Sequence, residues 1–204
     1  MKYKSIAMIL IVAGGVLWGC YPGGAEYVEE FDLTYTNHDV SFDFGSKGTY
    51  SLPNRIVKIT GNPDNPEYVN DAYATPILAR IDANMQSLGW TKVDKFSNPD
   101  VELLPASWNT TTVISGGYWG SYWCWYYYYY CGGGWYYPYP IVTSYTSGTL
   151  LMTLLDPKFN SVDGSQKVVW TAAVNGLLGY TNDLNRVMGG VDQAFVQSQY
   201  LNTK

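Results

Sequence analysis

Histidine occurs once in 204 residues and cysteine three times, which rules out most metal sites before any motif is sought. Charge is also scarce, at 14% of residues, and the net charge is −5. No cluster of Lys and Arg stands out, so a nucleic-acid partner is not expected, because phosphate neutralisation needs one. No apolar run reaches the roughly 20 residues that span a bilayer. Glycine-rich phosphate loops, nucleophile elbows and zinc-ligand spacings are all missing. Neither a cofactor nor a metal is expected. What is abundant is apolar and aromatic surface: 47% hydrophobic residues, with 20 Tyr and 8 Trp. That is enough for a real core in one domain and excludes a charged, disordered chain.

The N-terminus reads as an address. Lys2 and Lys4 precede an apolar stretch from Ile6 to Val16, which has the length of a signal peptide. Leu17-Trp18-Gly19-Cys20 follows and resembles a bacterial lipobox, with Trp18 as the one departure from the usual residue types. The resemblance implies a signal peptide over 1–19 and a lipidated Cys20. Pro22, Gly23 and Gly24 then read as part of a tether over 20–29, ahead of a single domain over 30–204. Several acyl chains on Cys20 would anchor the protein stably, since one chain alone binds marginally. Removing residues 1–19 takes two of the 12 basic residues and none of the 17 acids, so the charge moves from −5 to −7. Residue 21 is Tyr, not Asp, so by the same resemblance no inner-membrane retention signal is present. The expected location is the outer membrane, on its periplasmic face.

Cys124 and Cys131 remain, a natural pair in an oxidising envelope. A bridge closing so short a loop would contribute about 2–3 kcal/mol. A structural disulfide is the expectation, and free thiols are the alternative.

Along the mature chain, Phe31, Leu33 and Tyr35 alternate with polar residues as in a half-buried strand. Val40, Phe42 and Phe44 repeat the alternation after a turn. Short extended segments are expected at 50–52, 56–59 and 101–104, with a further β-rich run from Trp108 to Ile114. Ile77, Ile81, Met85 and Leu88 recur at helical spacing, ended by Gly89. Thr75-Pro76 offers one start for this helix and Asn70-Asp71 an earlier one. The best strands are Thr149–Leu155 and Val168–Val174, read as an antiparallel hairpin. In a regular strand only one of Val169 and Trp170 can face the helices. A second helix spans about 183–197, and its Gly189-Gly190 suggests close packing against another backbone. The pattern predicts an α+β two-layer sandwich, an antiparallel sheet with two helices packed on one face.

Several short segments carry a resemblance in order. They are Lys47-Gly48-Thr49-Tyr50-Ser51-Leu52-Pro53, Met85-Gln86-Ser87-Leu88-Gly89-Trp90 and Pro99-Asp100-Val101. Gly148-Thr149-Leu150, Val169-Trp170-Thr171-Ala172 and Gln193-Ala194-Phe195-Val196-Gln197-Ser198 complete the set. Together they resemble the bacterial lipoproteins that carry domain of unknown function 4136. The resemblance implies fold and location, and no activity.

An aromatic-rich insertion lies at about 115–145. Tyr118, Trp119, Tyr122, Trp123, Trp125, Trp135, Tyr136 and Tyr137 are its candidate binding residues. Flat rings with hydroxyl or indole donors suit a protein partner, a glycan or a membrane surface. The bland alternative is a tolerated insertion that folds back over the sheet. Catalysis finds little support. His38 next to Asp39 reads as a turn, and Asp100 and Glu102 as an acidic strand face. The expectation is a non-enzymatic envelope lipoprotein that acts by binding, set against an envelope hydrolase with no recognisable motif.

Overall fold

The computed structural model describes residues 34–108, 118–123, 126, 134–140, 148–159, 165–175 and 184–204. The expected signal peptide, Cys20, the tether, Trp125, Cys124 and Cys131 lie outside the described residues. The element order is β1 (Thr34–His38), β2 (Thr49–Ser51), β3 (Val57–Ile59), β4 (Glu67–Tyr68), α1 (Asp71–Ser87), β5 (Thr91–Lys92) and β6 (Val101–Trp108). It continues with β7 (Trp135–Tyr136), β8 (Thr149–Asp156), β9 (Gln166–Val174) and α2 (Leu184–Val196).

The described strands form one sheet in the order β1-β9-β8-β6-β2-β5, with β3 on β6, β4 on β3 and β7 on β9. The expected hairpin is present: β8 and β9 pair antiparallel, flanked by antiparallel β1 and β6. The expected antiparallel sheet is corrected to a mixed one. β2 and β3 both run parallel to β6, β5 runs parallel to β2, and β7 runs parallel to β9. Parallel neighbours need a long crossover. The segment carrying α1 provides it for β2, β3 and β5, and the segment carrying β8 provides it between β7 and β9; alternation of side chains says nothing about strand direction.

Pro105 sits inside β6, where a missing N–H would cost a ladder bond. It falls between the stretch of β6 paired with β2 (Val101–Glu102) and the stretch paired with β3 (Ala106–Trp108). The two short strands share that edge with a break beside the proline.

The helices cover one face, as expected. Ile77, Ile81 and Met85 of α1 and Val187, Val191 and Phe195 of α2 pack with Leu103, Leu150, Met152, Leu154 and Trp170. Asn70 is the N-cap of α1, its side-chain oxygen accepting from the Ala72 N–H, so the earlier start holds and Pro76 lies inside the helix. Gly89 ends the helix at a φ of 98°. The β8–β9 ladder contains a bulge: Leu154 opposes Trp170 while Leu155 opposes Val168. Val169 is the extra residue, and it joins Trp170 in the helix-side core. The rule that only one of the two can face the helices fails because the strand is not regular there.

Two further expectations are corrected. Val40, Phe42 and Phe44 do not form a strand. The Asp39 carboxylate accepts from the Ser41 N–H at 2.8 Å and hydroxyl at 2.7 Å. The chain turns there and enters a 3-10 helix at Phe44–Ser46, because an Asp side chain can stand in for a backbone acceptor and close a turn. Of the Gly189-Gly190 pair, Gly189 has no atom within 4 Å of where a Cβ would stand, so the close packing expected there is absent, while the Gly190 carbonyl accepts from Thr34 Oγ1 of β1 at 3.4 Å.

Candidate functional site

The second face of the sheet meets the aromatic segment. Tyr122 and Trp123 close a short 3-10 helix (Tyr118–Trp123), and both are buried. With Trp135, 7% exposed, they pack on Ile59, Leu104, Trp108, Leu151 and Val168. The Gly61 N–H donates to the Tyr122 hydroxyl, tying the segment to the β3–β4 turn. Tyr137 and Tyr139 pack against the same core, and the Tyr139 hydroxyl lies 3.0 Å from Thr171 Oγ1. Burial raises the Tyr139 phenol above its ordinary value. At the sheet edge, Asn37 donates to the Pro140 carbonyl at 2.9 Å. Three of the expected binding residues, Tyr122, Trp123 and Trp135, therefore turn their rings to the sheet. Tyr136 is half exposed and stacks on Phe159 with centroids 6.1 Å apart. Tyr118 and Trp119 belong to the 3-10 helix, and Trp125 lies outside the described residues.

Sequence reasoning read Glu102 with Asp100 as an acidic strand face and missed its burial beneath this layer. Glu102 is 1% exposed on the aromatic-covered face, directly opposite Leu155. Tyr126 is pushed up to about 12 by burial, with the charges of Glu102 and Asp94 acting in the same sense. Lys95 donates to the Tyr126 carbonyl, and its ammonium lies 4.4 Å from the Tyr126 ring centroid. A buried carboxylate in a half-polar strand leaves no periodic signal, so pattern reading passes over it.

The groups weighed for catalysis serve the architecture. Asp100 sits in a bend just before β6 and accepts from the Gly48 and Thr49 N–H groups, both at 3.1 Å. It also accepts from Thr49 Oγ1 and from Lys158, each at 2.8 Å. Burial acts to raise its pKa, but these donors outweigh it and hold the carboxyl well below the usual carboxylate range. Asp100 thus clasps β2 to β6 from outside the strand, while Glu102 is covered by aromatics, so the two do not form one acidic face. Asp39 is buried and pairs with Lys167 at 2.6 Å. Burial opposes its ionisation, and Lys167 and Ser41 overcome that and lower its pKa.

His38 ends β1 and stacks on Tyr200 with ring centroids 3.6 Å apart. Burial lowers its pKa, against the pull of Asp39, so the ring is neutral at pH 7. Beside it opens a cleft of about 390 Å³, whose lining includes His38, Val40, Phe42, Asp43, Phe44 and Tyr200. Among the described residues no group of three His, Cys, Asp or Glu is placed to hold a metal.

The model for a domain of unknown function, DUF4136, matches residues 34–198. The chain belongs to the DUF4136 family. A DUF4136 family protein from Bacteroides thetaiotaomicron, solved as a crystal structure, is similar at 27% identity with a TM-score of 0.69. The match covers 84% of this chain and 98% of that one. A dodecameric point variant of PelC from Paraburkholderia phytofirmans aligns at 12% identity and a TM-score of 0.39, over 84% of this chain and 98% of that one. No curated protein matches this DUF4136 chain.

Proposed function

We propose that this DUF4136 protein is a bacterial envelope lipoprotein, held at the outer membrane by lipid on Cys20, whose domain acts by binding and not by catalysis. The observation that carries the anchor is the apolar run Ile6–Val16 followed at once by Leu17-Trp18-Gly19-Cys20. Among the described residues no helix is long and apolar enough to cross a membrane. The binding reading is supported by the uses already found for the reactive side chains. Asp39 and Asp100 are tied into ion pairs, and His38 is stacked on Tyr200. The partner is an envelope protein or glycan, met in part by the exposed ring of Tyr136.

The test is expression in a bacterium fed labelled fatty acid. The label should enter the wild type and be lost in Cys20→Ala, which should also leave the membrane fraction. An unlabelled, soluble wild type would overturn the anchor. In the same preparation, unreduced peptides spanning Cys124 and Cys131 should run as one bridged species, and rapid alkylation without reductant would refute the bridge.

A further inference from the structure

We propose that the cleft at the end of β1 binds a neutral saccharide. The proposal deepens the reading of the domain as a binding protein and relies on it, but not on the lipid anchor. Its lining residues Phe42, Phe44 and Tyr200 pack with the helix-side core.

Three observations carry it. The first is shape and ring content. Phe42 and Phe44 meet edge to face at 4.8 Å, and Phe44 and His38 lie 6.3 Å apart beside the His38–Tyr200 stack. The cleft, of about 390 Å³, is open to solvent and lined by polar as well as aromatic groups. The second is unused hydrogen-bonding capacity. Neither ring nitrogen of His38 is bonded to another described residue, and a neutral imidazole offers one donor and one acceptor. The Asp43 carboxylate likewise has no partner among the described residues, while its backbone carbonyl holds Ser46. The third is charge. The Lys47 ammonium lies 5.4 Å from the Phe42 centroid, Asp43 lines the cleft, and Asp39 is already neutralised by Lys167. A cationic ligand would meet Lys47 on the ring it needs. An anionic one would meet Asp43.

A pyranose meets all three conditions. Its C–H face packs on a ring, and its hydroxyls donate to a carboxylate and exchange bonds with an imidazole. No bond is made or broken in the ligand.

The full-length chain in detergent micelles should be titrated with maltotriose, cellotriose and triacetylchitotriose, and with spermidine as a cationic control. Saturation-transfer NMR reads which protons touch protein. At least one saccharide should show transfer to its ring C–H protons, and spermidine none. Phe42→Ala should weaken that saccharide about tenfold. Asp43→Asn should weaken it by a similar factor with an unchanged thermal midpoint, and it carries the test where Phe42→Ala fails to fold. No transfer to any saccharide would overturn the proposal. So would transfer that neither variant alters, or binding of spermidine alone. Lipid labelling of the same protein is read separately, so a failed titration with the label intact strikes only the cleft. A missing label with saccharide bound strikes only the anchor.

Discussion

At the scale of single residues, the charged groups of this protein work mainly as fasteners. The Asp39–Lys167 pair is buried, with side-chain exposures of 5% and 17%. Lys167→Met should leave a buried carboxylate with Ser41 as its remaining partner and cost about 3 kcal/mol, measured by urea unfolding. The pH dependence follows from three groups. His38 has a lowered pKa in the fold, so as pH falls below about 6.5 the unfolded chain takes the proton first and stability declines. Asp39 and Asp100 are also lowered, so their contribution is complete above about pH 4 and is lost as pH falls through their folded values. Urea midpoints between pH 7.5 and 3 should show both declines. His38→Gln should remove the first alone, and Asp100→Asn should shrink the second. A flat profile in the wild type from pH 6.5 to 5 would contradict the His38 assignment.

At the scale of elements, two glycines separate turn chemistry from mere tolerance. Gly89 holds a φ of 98°, and a Cβ there would stand 2.5 Å from Thr203 Oγ1 and 2.8 Å from Lys204 Cγ. Gly89→Ala should destabilise by about 1–3 kcal/mol through strain and the displaced C-terminus. Gly189 is exposed within α2 and its surroundings are open, so Gly189→Ala should stabilise by about 0.5–1 kcal/mol. Opposite shifts in thermal midpoint would check the pair. The elements also show what was legible beforehand. The stripe Ile77, Ile81, Met85 and the apolar runs of β8 and β9 announced themselves, because burial on one face imposes a period. The bulge at Val169 did not, because one inserted residue looks like any other in an apolar run. The turn at Asp39–Phe42 was hidden by a chance alternation, Val40 and Phe42 reading as a strand until the Asp39 carboxylate closes the turn. The cleft beside His38 joins residues from both ends of the chain, Tyr200 among them, and no local pattern links them.

At the scale of the molecule, the sheet is buried on both faces by different means: two amphipathic helices on one side and aromatic side chains on the other. The aromatic segment lacked any period in the sequence, which reads as an ornament on a finished domain. Trp123 at 1% and Tyr122 at 3% exposure make it part of the structure. Trp123→Ala should cost about 3–5 kcal/mol. Deleting residues 118–137 should expose Trp108, Leu151 and Val168 and give a protein that binds a hydrophobic dye or fails to fold. A deletion variant with an unchanged thermal midpoint would return the segment to the status of an insertion.

The joining of distant segments has a consequence for folding. The Trp90 indole donates to the Leu201 carbonyl, and the Thr203 N–H donates to the Leu88 carbonyl. Elsewhere, among the described strands β1 pairs with β9 alone, and Thr34 meets Gly190 across 156 residues. Neither set of contacts can form until distant segments of the domain have met, so loop closure comes late in folding. Pairing across so many residues makes for slow folding, because the entropy of loop closure is lost before the contacts that repay it are made.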